Sequence, residues 1–403
     1  MEHIRESSRA FAFLLVFMLI FLYGESFWVM VSGNSFIRTA YQWGMLLIPT
    51  VLFLMTIRMA KDRNSTLMLL AYSSLLLLSV VYHSDGLGGI LVILHLGIAY
   101  LLVAKYEYYT FLKTFSDCIL ILTFWSVACY VFLYFHLLPV SFYENYQGAT
   151  YSQLGGCVFL PTEIGNIMRN SGIFREPGLF MIYINLAFLF DTFIYKDRPI
   201  PDIRMIIYVL GIISTFSTAG YIIFLLLLFM YISQHRDIKR KSLKEKIMIM
   251  LLLMMPLLTS FNDVLFSKIN IGNNQITSIS RISSIIIPFA IMGDYPIFGC
   301  GTTSFSELYR QYGVQIYHFP ISSEVSTNTI MNGGAIFGIW FSLAYILLLW
   351  LFASRNVNAK RDRAIVFLSL LMMFSNEVIL YSPIPYILLF YGVTKKANAN
   401  YPN

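Results

Sequence analysis

Pro177-Gly178-Leu179-Phe180-Met181-Ile182-Tyr183-Ile184-Asn185-Leu186-Ala187-Phe188-Leu189-Phe190-Asp191 carries no charge before its last residue, and the next charged side chain is Lys196. Proline suits the first turn of a helix, where its missing N–H is no loss. A bilayer core needs about 20 mainly apolar residues per helix, fewer where the ends snorkel. Residues 178–195 are therefore expected to cross a membrane. The polar, arginine-bearing Arg169 to Glu176 lies on one side and the basic Lys196 and Arg198 on the other.

The same pattern recurs along the chain. Further apolar spans are predicted at 10–24, 43–59, 65–83, 88–104, 116–138, 204–217, 219–234, 247–261, 329–353, 364–379 and 380–394. Of 403 residues, 58% are hydrophobic and 12% charged, against roughly 25% charged in a soluble domain. One water-soluble core cannot hide that much apolar surface, so the fold class expected is an all-α, polytopic integral membrane protein with about twelve helices. The chain reads as one membrane domain, 1–403. Phe11 to Tyr23 resembles a signal-peptide core, but no small-x-small cleavage site follows it, and it is expected to stay as the first helix. Phe216 to Gly220 joins two short spans, which predicts a tight turn at depth or a broken helix.

Counting Lys and Arg on alternating sides fixes the orientation. With the N-terminus inside, 22 of the 28 fall on inner segments. Only Arg38, Arg169, Arg175, Lys268, Arg281 and Arg310 fall outside. That partition follows the positive-inside rule and places both termini in the cytoplasm. Inner connections are short, whereas two outer loops are long, at about 139–177 and 262–328. Long loops of this kind are usually functional, so the chemistry is expected on the outer face. The net charge of +7 then reports topology, not a nucleic-acid partner.

In the first outer loop, Arg169 and Arg175 precede Glu176 and Pro177. The positive end of the following helix would face outward beside them, which makes an anion site. Guanidinium offers a planar fork of donors matched to phosphate. The alternative is that Glu176 merely sits at the helix end while the arginines meet anionic headgroups. In the second loop, Arg281 precedes Asp294-Tyr295-Pro296-Ile297-Phe298-Gly299-Cys300-Gly301, a turn whose glycines allow positive φ or close backbone approach. Ser283 to Met292 reads as an amphipathic segment at the interface.

Tyr143, Tyr146, Tyr151, Tyr309, Tyr312, Tyr317 and Phe319 suit stacking on sugar rings or, more simply, an interfacial aromatic belt. His318 is the one histidine within a long outer loop and a candidate base. His95 lies mid-span and reads as a packing residue. Cys118 and Cys129 fall in one span as packing residues, while Cys157 and Cys300, in different outer loops, are candidates for a disulfide. No nucleotide-binding glycine loop, His-Glu-x-x-His or Asp-x-Asp pair is present. Phosphate would thus be neutralised by arginine, with no metal and no cofactor.

Taken in order, these motifs resemble a known family. Arg169-x-x-Gly172-x-Phe174-x-Glu176-Pro177 opens a helix, and Ser217 to Gly220 forms a Ser/Thr-rich turn. Arg281 stands upstream of Pro296-x-x-Gly299-x-Gly301, and Asn328 opens a span containing Gly333, Gly334 and Gly338. The pattern is similar to the Wzy-type bacterial polysaccharide polymerases and O-antigen ligases, over roughly Met168 to Gly338. Thr327-Asn328 stands where the ligases carry His-Asn, which favours polymerase over ligase. Ser217-Thr218 stands where the family often has Ser-Arg.

The resemblance implies a multi-pass protein of the bacterial cytoplasmic (inner) membrane that joins undecaprenyl-pyrophosphate-linked oligosaccharides, as donor and acceptor, by inverting glycosyl transfer. A chain-length regulator and a flippase are the protein partners it suggests, in O-antigen, capsule or exopolysaccharide synthesis. It assigns Arg169, Arg175 and Arg281 to the pyrophosphate and Glu176 to the general base, with His318 in reserve. Gly172, Pro177, Pro296, Gly299, Gly301 and Asn328 would set loop geometry. The rival classes are an O-antigen ligase, a lipid-linked oligosaccharide flippase and a transporter. Ala60 to Asn64 faintly echoes a major-facilitator loop motif, but such carriers place their long central loop inside.

Overall fold

The computed structural model describes residues 2–31, 35–56, 62–84, 87–144, 150–161, 168–234 and 275–394. Helices α1 (Glu2–Tyr23), α2 (Phe27–Met30), α3 (Ser35–Thr56), α4 (Arg63–His83), α5 (Leu87–Lys105) and α6 (Tyr108–Tyr134) precede a small sheet. After it come α7 (Pro177–Ile194), α8 (Asp202–Thr215) and α9 (Thr218–Gln234). The last third forms α10 (Gln275–Asp294), α11 (Thr302–Tyr317), α12 (Thr329–Phe337), α13 (Ile339–Asn356), α14 (Lys360–Asn376) and α15 (Pro383–Val393). The expected spans overlap helices, apart from 247–261, which lies outside the described residues, and 329–353 is divided between two helices.

The chain is mostly helical, and among the described residues five helices (α4, α5, α6, α7 and α13) are long and apolar enough to cross a bilayer. Their outer faces stay apolar: Leu70 and Val81 on α4, Phe124 on α6 and Leu343 on α13 are 59%, 68%, 59% and 60% exposed. Soluble monomers rarely leave such contiguous surface to water. Lipid is the solvent these faces fit. Helix α7 is the opposite case, buried from Pro177 to Phe193. A helix apolar all round belongs in the middle of a bundle, and α7 packs there against α6, α8, α9 and α14.

Contacts between helix ends sort the bundle into two poles. At one, the Asn64 amide donates to the Val393 carbonyl (3.5 Å), the Tyr391 hydroxyl to Tyr106 (3.0 Å) and Arg355 to Thr394 (2.6 Å). Gln234 bonds Asp362 (3.2 Å) and Arg204 bonds Asp117 (2.6 Å) at the same pole. This basic pole gathers Arg63, Lys105, Lys196, Arg204, Arg355 and Lys360, the residues that the charge count assigned to one side. The opposite pole carries the loops.

At that opposite pole the mostly helical chain, which fits the expected all-α membrane protein, also carries a small four-stranded antiparallel sheet within 139–177: β1 (Ser141–Glu144), β2 (Thr150–Leu154), β3 (Cys157–Pro161) and β4 (Met168–Gly172), in sequential order. Leu154 pairs Cys157 across Gly155-Gly156, both at positive φ (+58° and +81°). A two-residue hairpin needs that conformation, and glycine adopts it without strain. Trp125 of α6 donates to the Gly155 carbonyl (2.7 Å) and Trp28 of α2 to Gly156 (2.8 Å), so the hairpin tip is clamped onto the bundle.

One expectation needs correction at that pole, the reading of 329–353 as a single span. That stretch is two helices broken at Gly338, whose φ of +111° and ψ of 159° suit glycine alone. The break frees backbone groups that must find partners at depth. The 295–301 turn supplies them: Cys300 N–H donates to Ala335 (2.8 Å), Gly301 N–H to Ile336 (3.0 Å), and Ile339 N–H to Pro296 (2.9 Å). Between α8 and α9 the structure resolves the other ambiguity as a tight turn, with Phe216 left-handed and the Ser217 hydroxyl accepting from Gly220 N–H (3.3 Å).

Candidate functional site

Strand β4 delivers Arg169 to the α8–α9 turn, and its position is fixed by its neighbour. The buried Asn170 side chain accepts from Ser126 (2.6 Å) and from Gly172 N–H (2.9 Å) and donates to Ser214 (3.0 Å). It ties the strand to α6 and α8 at once. Arg169 Nε then donates to the Thr215 carbonyl at the end of α8 (3.2 Å). Its two terminal nitrogens hold no hydrogen bond or ion pair with another described residue. Burial lowers its pKa and Arg281 adds to that, while Glu377 and Glu176 oppose.

Gly172 turns the chain out of the sheet with φ +58°; a Cβ there would press on the Phe180 ring at 3.2 Å. Ser26 and Phe174 form an isolated bridge, and Arg175 N–H donates to the Glu25 carbonyl (3.1 Å), so the loop is sewn to the α1–α2 link. Arg175 faces two carboxylates. Its Nε lies 3.2 Å from Glu25 Oε2, an ion pair without hydrogen-bond alignment, and its Nη1 lies 3.6 Å from Glu176 Oε1. Burial works against this charge, but Glu25, Glu176 and Glu377 outweigh it and hold the Arg175 pKa above its ordinary value. Burial pushes the Glu25 carboxyl above the usual carboxylate range; Arg175 opposes and Glu176 adds.

Glu176 is the N-cap of α7 by position, extended, yet its side chain makes no cap bond, and Pro177 takes the first helical position. The carboxyl instead hydrogen-bonds that of Glu377. Glu377 follows α14 in extended conformation and is 8% exposed. Its carboxyl fills the space that a Gly178 side chain would take, so Gly178 is what admits it to the start of α7. Burial, with Glu176 adding to it, pushes the Glu377 carboxyl well above the usual carboxylate range, against Arg175 and Arg169. The Glu377 carbonyl accepts from the Thr329 hydroxyl (2.6 Å), which also accepts from Ile379 N–H (2.9 Å). Asn328 caps α12 by accepting from Met331 N–H (3.0 Å). The α14–α15 link is thereby pinned to the start of α12.

Arg281 sits exposed on α10, close enough to Arg169 for its charge to be felt there. Helix α10 is held beside the start of α12 by Thr327 N–H donating to Ser284 (3.0 Å) and beside α11 by the Tyr309 hydroxyl donating to Ser283 (3.3 Å). The segment 283–292 is thus part of a full helix. It buries Ser283, Ser284, Ile287 and Ile291 and exposes Ile285, Ile286 and Phe289. Arg169, Arg175, Arg281 and Glu176 are accordingly brought together, with Gly172 and Pro177 forming the entry to α7. Pro296, Gly299 and Gly301 act one layer behind, bracing the α12–α13 break. A Cβ at Gly299 would lie 2.3 Å from the Ile336 carbonyl.

His318 is not brought in. It is exposed, with φ +65°, and ends α11 through its backbone N–H to Val314 (2.9 Å). Of the loop aromatics, Tyr309 and Tyr151 are buried and Tyr143 donates to Val31 (2.8 Å), Tyr312 and Tyr317 are half-buried, Phe319 is exposed with its ring 6.3 Å from that of Tyr317, and Tyr146 lies outside the described residues. The Cys157–Cys300 disulfide is also not formed; Cys300 packs in the 295–301 turn, and Cys157 meets Cys129. Glu25 was missed by the sequence reading. Glu377 was not among the expected site residues either, although an ionisable side chain near the end of the expected span 364–379 is a signal that marks such a group for inspection.

Fold and site together define a mostly helical protein with membrane-length helices and a mixed arginine–glutamate cluster at the pole opposite its basic one. No family model matches this chain, and neither a curated protein nor a solved structure does.

Proposed function

We propose that this protein is a membrane glycosyltransferase that polymerises lipid-diphosphate-linked oligosaccharide repeat units on the outer face of a bacterial cytoplasmic membrane. The observation that supports this reading most is that Arg169 and Arg281, from different loops, lie within reach of each other's charge beside the Glu176–Glu377 carboxyl pair at the N-terminus of α7. The basic pole is the cytoplasmic one, by the positive-inside rule.

Arg169, with open terminal nitrogens, and the exposed Arg281 bind the diphosphate of the donor, an undecaprenyl-pyrophosphate-linked chain. Arg175 already faces Glu25 and Glu176, so its part is to hold those carboxylates in place. A hydroxyl of the acceptor repeat unit attacks the anomeric carbon of the donor and gives its proton to Glu176. The carbon–oxygen bond to the diphosphate breaks, its electron pair leaves with the diphosphate, and the new bond has inverted configuration. Fixed guanidinium groups stabilise the charge that accumulates on the leaving group.

Purified protein incubated with a lipid-linked repeat unit, with no nucleotide or metal added, tests the proposal. Ladders of longer glycans are the expected product. Transfer to a lipid A core acceptor without ladders would indicate the ligase reaction instead. Unchanged substrate carried across a liposome membrane would indicate a flippase.

A further inference from the structure

Cys129, near the end of α6, and Cys157, the first residue of β3, were assigned from sequence to different environments. The structure puts them side by side in one small apolar cluster with Leu133 and Phe159, close enough for each thiol to perturb the other. A second observation fixes the approach. Cys129 Sγ lies 2.8 Å from where a side chain at Gly155 would begin, so it sits directly under the β2–β3 hairpin tip that Trp125 and Trp28 clamp. The other two cysteines have different surroundings: Cys118 points its thiol at the Phe13 carbonyl (3.7 Å), and Cys300 at the Gly301 carbonyl (3.5 Å).

We propose that Cys129 and Cys157 are the site of a disulfide that staples the sheet to α6. The pair loses two protons and two electrons. The acceptor is a disulfide-bonded thiol oxidoreductase of the outer compartment, which is reduced to its dithiol. One cysteine thiolate attacks the oxidoreductase disulfide to give a mixed disulfide, and the second then displaces the oxidoreductase. Both cysteines are buried once the hairpin is docked (2% and 1% exposed). Exchange therefore takes place as the hairpin docks, and the finished bond is shielded from reductant. The bond bears on glycosyl transfer only through Arg169, because β3 pairs with β4 through Leu160 and Arg169.

The test uses full-length protein made in cells with an oxidising outer compartment, quenched in acid, denatured and alkylated with a maleimide. Without reductant, two of the four cysteines, Cys118 and Cys300, should be labelled, and digestion should yield a 129–157 cross-linked peptide. After reduction all four should be labelled. Cys129→Ala should free Cys157 for labelling, and Cys157→Ala should free Cys129. Reductant should lower the apparent Tm of the wild type by several degrees and leave that of the double alanine variant unchanged. Labelling of all four without reductant, or a cross-link from Cys157 to Cys300, would overturn the proposal.

Discussion

The carboxyls of Glu176 and Glu377 are hydrogen-bonded to each other at the start of α7, one half-open to solvent (45% side-chain exposure) and the other buried. Burial, with Glu176 adding to it, pushes the Glu377 carboxyl well above the usual carboxylate range, while Arg175 and Arg169 oppose. Protonated, Glu377 is a neutral neighbour of Glu176; ionised, it adds a negative charge that would repel the diphosphate. The rate of glycosyl transfer should therefore fall as pH rises through the raised ionisation of Glu377. Glu377→Gln cannot ionise, so that alkaline limb should vanish. Glu176→Gln should cost about 10²–10⁴-fold in rate. An unchanged alkaline limb in Glu377→Gln would remove Glu377 from the chemistry.

The three arginines should separate cleanly. Arg169→Ala and Arg281→Ala should each lose about 10²-fold or more in turnover while keeping normal amounts of folded protein. Arg169→Lys should recover little, since an ammonium cannot reach Thr215 and still present two donors to phosphate. Arg175→Ala should instead fail in stability, by about 3 kcal/mol, because it leaves the buried Glu25 without its partner. Adding Glu25→Gln should restore much of that loss. Thermal unfolding in detergent, run beside the turnover assay, distinguishes the cases; equal instability in Arg169→Ala would make that residue structural.

Most of the helical framework was legible in the sequence because bilayer-spanning length and the Lys/Arg partition are whole-chain signals that do not depend on tertiary detail. The sheet was not. Its strands are four or five residues long, and Met168-Arg169-Asn170-Ser171-Gly172 has neither β-branched residues nor an alternating pattern. What makes it a strand is the Asn170 link to α6 and α8, a tertiary contact. The break at Gly338 was hidden for a similar reason. Apolar composition runs straight through it, and its partner, the 295–301 turn, is distant in sequence. Arg169, Arg175 and Arg281 stood out in the sequence because Lys and Arg are scarce on the segments that the charge count assigns to their side. Glu25 and Glu377 could not be joined to them, since both acquire their meaning from helices brought together only by folding.

The interlock of that turn with the break gives a sharp stability prediction. A Cβ at Gly338 would lie 2.1 Å from the Ile297 carbonyl, and one at Gly299 would lie 2.3 Å from that of Ile336. Both obstacles are backbone, so neither can rotate away. Gly338→Ala and Gly299→Ala should each cost about 3 kcal/mol or more, seen as a lowered Tm and loss of folded yield. Gly97→Ala, with nothing within 4 Å of the new methyl, should be neutral or stabilising by about 0.5–1 kcal/mol. Equal tolerance at all three positions would mean that the two segments do not interlock as described.

At the basic pole, α6, α7 and α8 are joined by a buried polar knot that is wholly separate in role from the site. Asp191, fully buried, accepts from Arg204 Nε (2.7 Å) and Nη2 (3.1 Å), from Tyr208 (2.8 Å) and from Ser116 (2.5 Å). Arg204 also reaches Asp117 (2.6 Å). Both Asp191 oxygens are saturated, which leaves no room for a ligand, so the knot fixes helix packing. Asp191→Asn keeps the shape but strands the Arg204 charge among groups arranged for an anion. It should cost about 3–5 kcal/mol, whereas Asp117→Asn, at the more open edge, should cost well under half of that. Turnover per folded molecule should stay near wild type in both variants. If Asp191→Asn instead folded normally and lost turnover, the knot would belong to the mechanism, and a working site at the outer pole would be untenable as the sole one.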